Sequence, residues 1–351
     1  MSNMNLQFFL FLVCLFGTCI AQEDKCPKTS ISPCTCKTYY DGSCYIACGL
    51  TSQEQLEKLA NIPNLCEGYV HFFLVNSKVS GIPAKLWKSL LSSKTVDIAI
   101  KHVVMDGLIP PGSEEIPEVY TSGSAVIKFD HCRIKNWDWK QLKNFYSEEE
   151  LTIVIDDTPM SEISTDFAHI AKGQVHKVSI DSTGLTSVPD KLFVAFDDLN
   201  SLSLQNNKLK SFSRSMISKP ANKLEFLHLN GNLLTSIPGD LFSDMPVLSV
   251  VYLRDNRLTT LPQDLFENIS SPKLKRVDFI NNPWDCNCRL MWILSKKKQH
   301  ASMGACATPE ELANKKTLLI MRVWSCTKQH LERLVHYTTY PKDGRRNPVP
   351  V

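Results

Sequence analysis

Leu224-Glu-Phe-Leu227-His-Leu229-Asn-Gly-Asn232-Leu-Leu234 decides how the other parts of this 351-residue chain are read. Its leucines stand at the first, fourth, sixth and last places, and an asparagine holds the ninth. Side chains alternate along a strand, so the Leu-x-Leu pair points to one face. The asparagine follows where that strand ends. Leu199 to Leu209 repeats the pattern with Asn207 in ninth place, and Leu248 to Leu258 repeats it with Val251 for one leucine and Asn256 in ninth place. Leu274 to Asn282 begins another copy, with Val277 and Phe279 in leucine places. Three copies continue alike, with an aliphatic residue, Pro, two variable residues and Leu-Phe: Val188-Pro189 to Phe193, Ile237-Pro238 to Phe242, and Leu261-Pro262 to Phe266.

The same frame slides backwards through Phe72/Leu74, Ile98/Ile100, Ile153/Ile155 and Val178/Ile180. The ninth-place slot then falls at 77, 103, 132, 158, 183, 207, 232, 256 and 282. Apart from one gap of 29, between 103 and 132, the steps are 24 to 26 residues. That period and pattern belong to leucine-rich repeats. A set of unrelated amphipathic strands would not keep so constant a step. The first copies are the weaker ones: Thr95, Ser124 and Glu150 stand where the leading leucine belongs. The expected fold is an α/β solenoid, a horseshoe of about nine repeats over 68–283, with a parallel β-sheet on its concave face. No single repeat can bury its leucines, so neighbours stack to complete the core. A slot asparagine can satisfy backbone groups of the loops beside it.

A solenoid needs its ends covered. Thirteen cysteines supply the means. Leu6 to Ile20 is an apolar run too short to span a bilayer comfortably, and Cys19-Ile20-Ala21 offers a cleavage site, so 1–21 reads as a signal peptide. An uncleaved anchor is the competing reading. No other stretch approaches the ~20 apolar residues of a membrane span. Loss of Cys14 and Cys19 with the leader leaves eleven cysteines. Cys26, Cys34, Cys36, Cys44, Cys48 and Cys66 lie in an N-terminal cap over 22–67. Cys286, Cys288, Cys306 and Cys326 lie in a C-terminal cap over 284–326, and a polar tail occupies 327–351. An oxidising compartment makes these disulfide cysteines. Cys132 is the remainder. It fills the slot of the third repeat, which accepts Asn or Cys, so it is expected to be a buried and inert thiol.

Asn282-Pro283-Trp284, Cys286-x-Cys288, Leu290-Met291-Trp292, Cys306-x-x-Pro309 and Cys326 resemble the cysteine-rich C-terminal cap of extracellular leucine-rich-repeat proteins. That resemblance implies Cys286 with Cys306 and Cys288 with Cys326; zinc binding by the four thiolates is the competing reading. The front departs from the compact cap of vertebrate matrix proteoglycans. Its run from Cys26 to Cys66, with a helix beginning at Ser52 and Phe72 and Leu74 beyond, resembles arthropod secreted proteins named after the non-catalytic subunit of oplophorus-luciferin 2-monooxygenase. The resemblance implies a chain without catalytic activity of its own.

No HExxH, GxSxG, P-loop or GxGxxG is present, and the nine histidines are scattered without ligand spacing. No cofactor or metal is expected, and the chain is read as a non-enzyme. A net charge of +3 is too mild for a nucleic-acid binder. Binding fits better. The frame turns Phe226, His228 and Asn230, then Val250, Tyr252 and Arg254, then Arg276, Asp278 and Ile280 toward the concave side. Phe226, His228, Asn230, Tyr252, Arg254 and Asp278 form the candidate partner-binding set, because aromatic residues and arginine are enriched in interface hot spots. Asp130, Asp156 and Asp181 share one column, read as a solvated acidic edge moderated by Lys128 and Lys177; a bound cation is the other reading. Asn268-Ile-Ser270 is a glycosylation sequon. The expected function is a secreted module that grips an extracellular protein or matrix component. The alternative is a stabilising, non-catalytic subunit of a secreted enzyme complex.

Overall fold

A computed structural model describes residues 24–63, 65–66, 68–170, 174–267, 269, 271–287, 290, 292–293 and 301–315. The leader at 1–21, Asn268, Cys288, Cys326 and the tail over 327–351 lie outside them. One sheet of 12 strands runs the length of the described chain, in chain order. The strands are β1 (Thr35–Thr38), β2 (Cys44–Gly49), β3 (Tyr69–Val75), β4 (Thr95–Lys101), β5 (Ala125–Asp130) and β6 (Leu151–Asp156). There follow β7 (Val175–Asp181), β8 (Ser201–Ser203), β9 (Phe226–His228), β10 (Val250–Tyr252), β11 (Arg276–Asp278) and β12 (Ala301–Ser302). β1 pairs with β2 antiparallel, and every later pair is parallel.

Alternation sets what each strand buries. Leu202, Leu227, Val251 and Val277 lie in one register row and are buried. Leu204, Leu229, Leu253 and Phe279 fill the next inward place and are buried too. Beneath the sheet runs a line of interior rings: Trp139 meets Phe167 edge-on at 4.9 Å, and Phe167 meets Phe193 and Phe196 at 6.3 and 5.8 Å. The backbone opposite the sheet changes along the chain. Among the described residues two α-helices, α1 (Gln53–Ala60) and α2 (Ala84–Leu91), stand at the N-terminal end; short strands, 3-10 turns and loops follow. The helix expected at Ser52 is α1. Its capping box is complete: Ser52 N–H donates to Gln55 Oε1 at 2.8 Å and Gln55 N–H donates to Ser52 Oγ at 3.3 Å.

The slots form a ladder through the interior. Asn256 Oδ1 accepts from Leu234 N–H at 3.1 Å, while its Nδ2 donates to Leu229 O at 2.9 Å and Leu253 O at 3.1 Å. Asn207, Asn232 and Asn282 do the same one turn apart. In the earlier turns a hydroxyl does a smaller version of this work. Thr158 Oγ1 accepts from Cys132 N–H at 3.0 Å and donates to Asp156 O at 2.9 Å. Ser77 Oγ accepts from Thr51 N–H at 2.9 Å and donates to Val75 O at 2.8 Å. Thr51 is thus a further slot, one turn before Ser77, and β2 is a strand of the sheet inside the cysteine-rich segment. Cys132 is 1% exposed, with Sγ 3.2 Å from Ile100 O.

The residue before each slot turns the chain out of the strand. Leu50, Asn76, His102, His131, Asp157, Ser182, Asn206, Gly231, Asp255 and Asn281 all have positive φ, between 45° and 62°. Asn, Asp, His and Gly tolerate that left-handed conformation better than other residues. At Gly231 a Cβ would also crowd the side-chain amide of Asn206, which would have to move.

Disulfides join Cys26 to Cys36, Cys34 to Cys48, Cys44 to Cys66 and Cys286 to Cys306. The sulfurs of Cys26, Cys36 and Cys44 lie within 4.8 Å of one another. Each is already bonded to sulfur, so none offers the thiolate a metal needs.

Candidate functional site

The outward residues of β8 to β11 build the site. Register places Ser201, Phe226, Val250 and Arg276 in one row, and Ser203, His228, Tyr252 and Asp278 in the next. Contacts run across three strands. The Phe226 and His228 rings lie 6.5 Å apart, His228 meets Tyr252 edge-on at 5.0 Å, and the Arg276 guanidinium sits 5.3 Å from the centre of the Tyr252 ring. Phe226, His228 and Tyr252 are half-buried, so each still shows part of its ring to solvent. Burial pushes the His228 pKa below the ordinary histidine value, against the pull of Asp181. The imidazole is therefore neutral near pH 7, as suits a ring packed on other rings.

Beyond these rows the chain continues outward at Asn230 and Arg254. Asn230 Oδ1 accepts from Arg254 N–H at 3.1 Å, which ties neighbouring turns at the rim. Asp278 needs correcting as a contact residue. It is 0% exposed; Arg276 donates to its Oδ2 at 2.8 Å and Ile280 N–H to its Oδ1 at 3.1 Å. The outward direction was right, but the arginine two residues earlier takes up the carboxylate. Asp278 therefore holds Arg276 in place, and Arg276 is the residue that a partner can reach.

The aspartate column exists: Asp130, Asp156 and Asp181 are register partners. It is a solvated edge only in part: Asp156 is half-buried, and Lys128 lies 3.8 Å from Asp130 as expected, but Asp181 is closed off. Asp181, 8% exposed, accepts from Ser203 Oγ at 2.7 Å, Gln205 N–H at 2.9 Å, Ser179 Oγ at 2.6 Å and Gln205 Nε2 at 3.2 Å. Asp130 lies 3.2 Å from Lys101 Nζ, and His131 bridges Asp130 and Asp157 at 2.6 and 2.7 Å.

A second aromatic group lies at the other end of the concave face. Tyr45 on β2 stacks on His71 at 4.2 Å and stands 5.9 Å from Phe73, with Tyr39 at 4.3 Å. Sequence reasoning misses it because β2 lies inside the segment that reads as the cap. The signal was present in Gly49-Leu50-Thr51, where a turn residue precedes a small slot residue in step with Asn76-Ser77.

Comparison with known proteins agrees with this architecture. Residues 222–272 match the sequence model of a family described as leucine rich repeat. No curated protein matches the chain. Among solved structures, human 5T4, also named Wnt-activated inhibitory factor 1 and trophoblast glycoprotein, is similar with a TM-score of 0.50 and 16% identity, over 84% of this chain and 97% of that one. At that identity the likeness is one of fold. The chain has the leucine-rich-repeat fold, with a long parallel sheet and disulfides near both ends.

Proposed function

We propose that this chain is an extracellular binding protein that grips a protein or matrix component with the concave side of β9 to β11. One observation carries the reading: Phe226, His228, Tyr252 and Arg276 touch in series across adjacent strands on an open face. Rings and arginine are the side chains that most often dominate protein interfaces. Preset contacts among them reduce the ordering cost of binding. Concave solenoid sheets offer extended surfaces of this kind. The four disulfides support an oxidising compartment. No helix among the described residues is long and apolar enough to cross a membrane.

The test is affinity capture of partners from extracellular fluid, with Tyr252→Ala/Arg254→Ala beside the unaltered chain. The double variant should melt within a few degrees of the original and lose the captured partner. Undiminished capture by a folded double variant would place the binding surface elsewhere.

A further inference from the structure

The carboxylates of this patch are closed to a partner, and one arginine, Arg254, has no carboxylate to answer its charge among the described residues. Asp181 takes four hydrogen bonds, two on each oxygen. Asp278 is buried and paired with Arg276. Arg254 forms no ion pair among the described residues, and its Nε is shut off from solvent with no acceptor. A guanidinium carries five N–H donors in a fixed fork and cannot lose its charge. The Nε is out of a partner's reach, but the side chain is only half-buried and its charge is unpaired, so an oxygen anion beside it gains a charge-assisted hydrogen bond. The donor fork fits the two oxygens of a carboxylate.

The neighbours narrow the source of that anion. Outward from β8 to β10 stand Ser201, Ser203, Phe226, His228, Val250 and Tyr252, with no further lysine or arginine; Arg276 on β11 is paired with Asp278, and Lys177 on β7 is three strands from Arg254. A sulfated polysaccharide carries anions along its whole length and calls for a row of cations. One free arginine beside a row of rings calls for a single acid beside apolar groups.

We infer that the concave patch accepts an acidic peptide segment, with a carboxylate on Arg254 and an apolar or aromatic side chain against Phe226 and Tyr252. This rests on the concave-face reading above.

The experiment uses the full chain and two fluorescein-labelled heptapeptides, Glu-Tyr-Glu-Leu-Glu-Tyr-Glu and its counterpart with lysine for each glutamate, followed by fluorescence anisotropy. The acidic peptide should bind saturably and the basic one should not. Arg254→Gln should weaken the acidic peptide by about tenfold, the loss of one charge-assisted contact, with Arg254→Lys between the two. Unchanged affinity in Arg254→Gln, equal binding of both peptides, or no saturable binding up to about 1 mM would overturn the inference. Tighter binding of a heparin octasaccharide that is lost in Arg254→Gln would overturn it too, since the anion would then be a sulfate. Partner capture by the Tyr252→Ala single variant separates the two claims. Capture lost there while Arg254→Gln leaves the acidic peptide unaffected removes this inference and keeps the concave reading.

Discussion

The side-chain nitrogen of Asn256 donates to the carbonyl of Leu229, 27 residues earlier, at 2.9 Å. The same amide holds Leu253 of its own turn and, through Oδ1, Leu234 of the turn before. One side chain therefore binds three buried backbone groups that no strand or helix provides for, and it shares the two carbonyls with Asn232 and Asn282.

Removing it leaves the Leu234 N–H without an acceptor, while Leu229 O keeps Asn232 Nδ2 and Leu253 O keeps Asn282 Nδ2. Asn256→Ala should destabilise the chain by about 2 kcal/mol, since one buried unsatisfied group costs roughly 1–3 kcal/mol. Asn256→Thr should cost less, because Thr158 shows that a hydroxyl can accept from one turn and donate to its own strand. Urea unfolding of the three proteins measures the order. Equal losses for Ala and Thr would mean that volume, and not hydrogen bonding, controls the slot.

Cys132 should resist chemistry while the fold holds. Burial pushes its thiol pKa up, against weaker help from nearby backbone N–H groups. The thiolate is the reactive form, so both exposure and ionisation are lacking. Iodoacetamide should label Cys132 on the order of 100-fold faster in denaturant than in buffer, where reaction waits on local opening. Rapid labelling of the native chain, mapped to Cys132 by mass spectrometry, would refute the placement.

His131 should make stability depend on pH. Its two ring nitrogens face Asp130 and Asp157, which are both acceptors. Only the imidazolium donates from both nitrogens. The Asp130 contact raises the His131 pKa, partial burial opposes it, and Asp157 adds to the rise while Lys101 subtracts. The ring of His102 also faces His131, at 5.0 Å. For Asp130, burial pushes the pKa up, but His131, Lys101 and Lys128 outweigh it and hold the group below the usual carboxylate range. Asp130 thus stays ionised while the histidine titrates. The stabilisation is complete below about pH 6.5, the ordinary histidine value, and is lost as pH rises through the raised value. His131→Gln should lower Tm more at about pH 5.5 than at about pH 9. The same loss at both would assign the ring a packing role only.

The Cys286–Cys306 disulfide closes the described C-terminal end, where β12 covers β11. Replacing both cysteines with serine should cost about 2–5 kcal/mol. Amide exchange should rise first in β11 and β12, and much less in β5 to β7, because each turn contacts only its neighbours. Uniform loss of protection along the sheet would mean that the end is not an independent unit.

What could be read from the residues alone follows the chemistry of the slot. Asn207, Asn232, Asn256 and Asn282 announce their turns because only an amide both accepts and donates in this way. Ser77, Val103, Thr158 and Thr183 are common residues in any strand, so their turns are faint. A steadier signal lay one place earlier, in Asn76, His102, His131 and Asp157, whose left-handed backbone ends each strand. The site was legible in direction but not in occupancy. Alternation turns Asp278 and Asp181 outward, yet it cannot tell that Arg276 claims one carboxylate or that Ser179, Ser203 and Gln205 claim the other. Those partners come from two residues away or a whole turn away, where one-dimensional spacing carries no information about contact.

The reversal of β1 against β2 has a consequence for how molecules of this chain meet. A sheet built from like strands in order can be extended by the first strand of another copy, and that copy by the next, into a fibre. β1 interrupts the series with a strand of opposite direction, only four residues long, with Lys37 exposed. Short charged edges resist further pairing. Two disulfides, Cys26–Cys36 and Cys34–Cys48, hold that strand in place. Reduction at this end would leave only the backbone pairing with β2 to keep β1 over that edge.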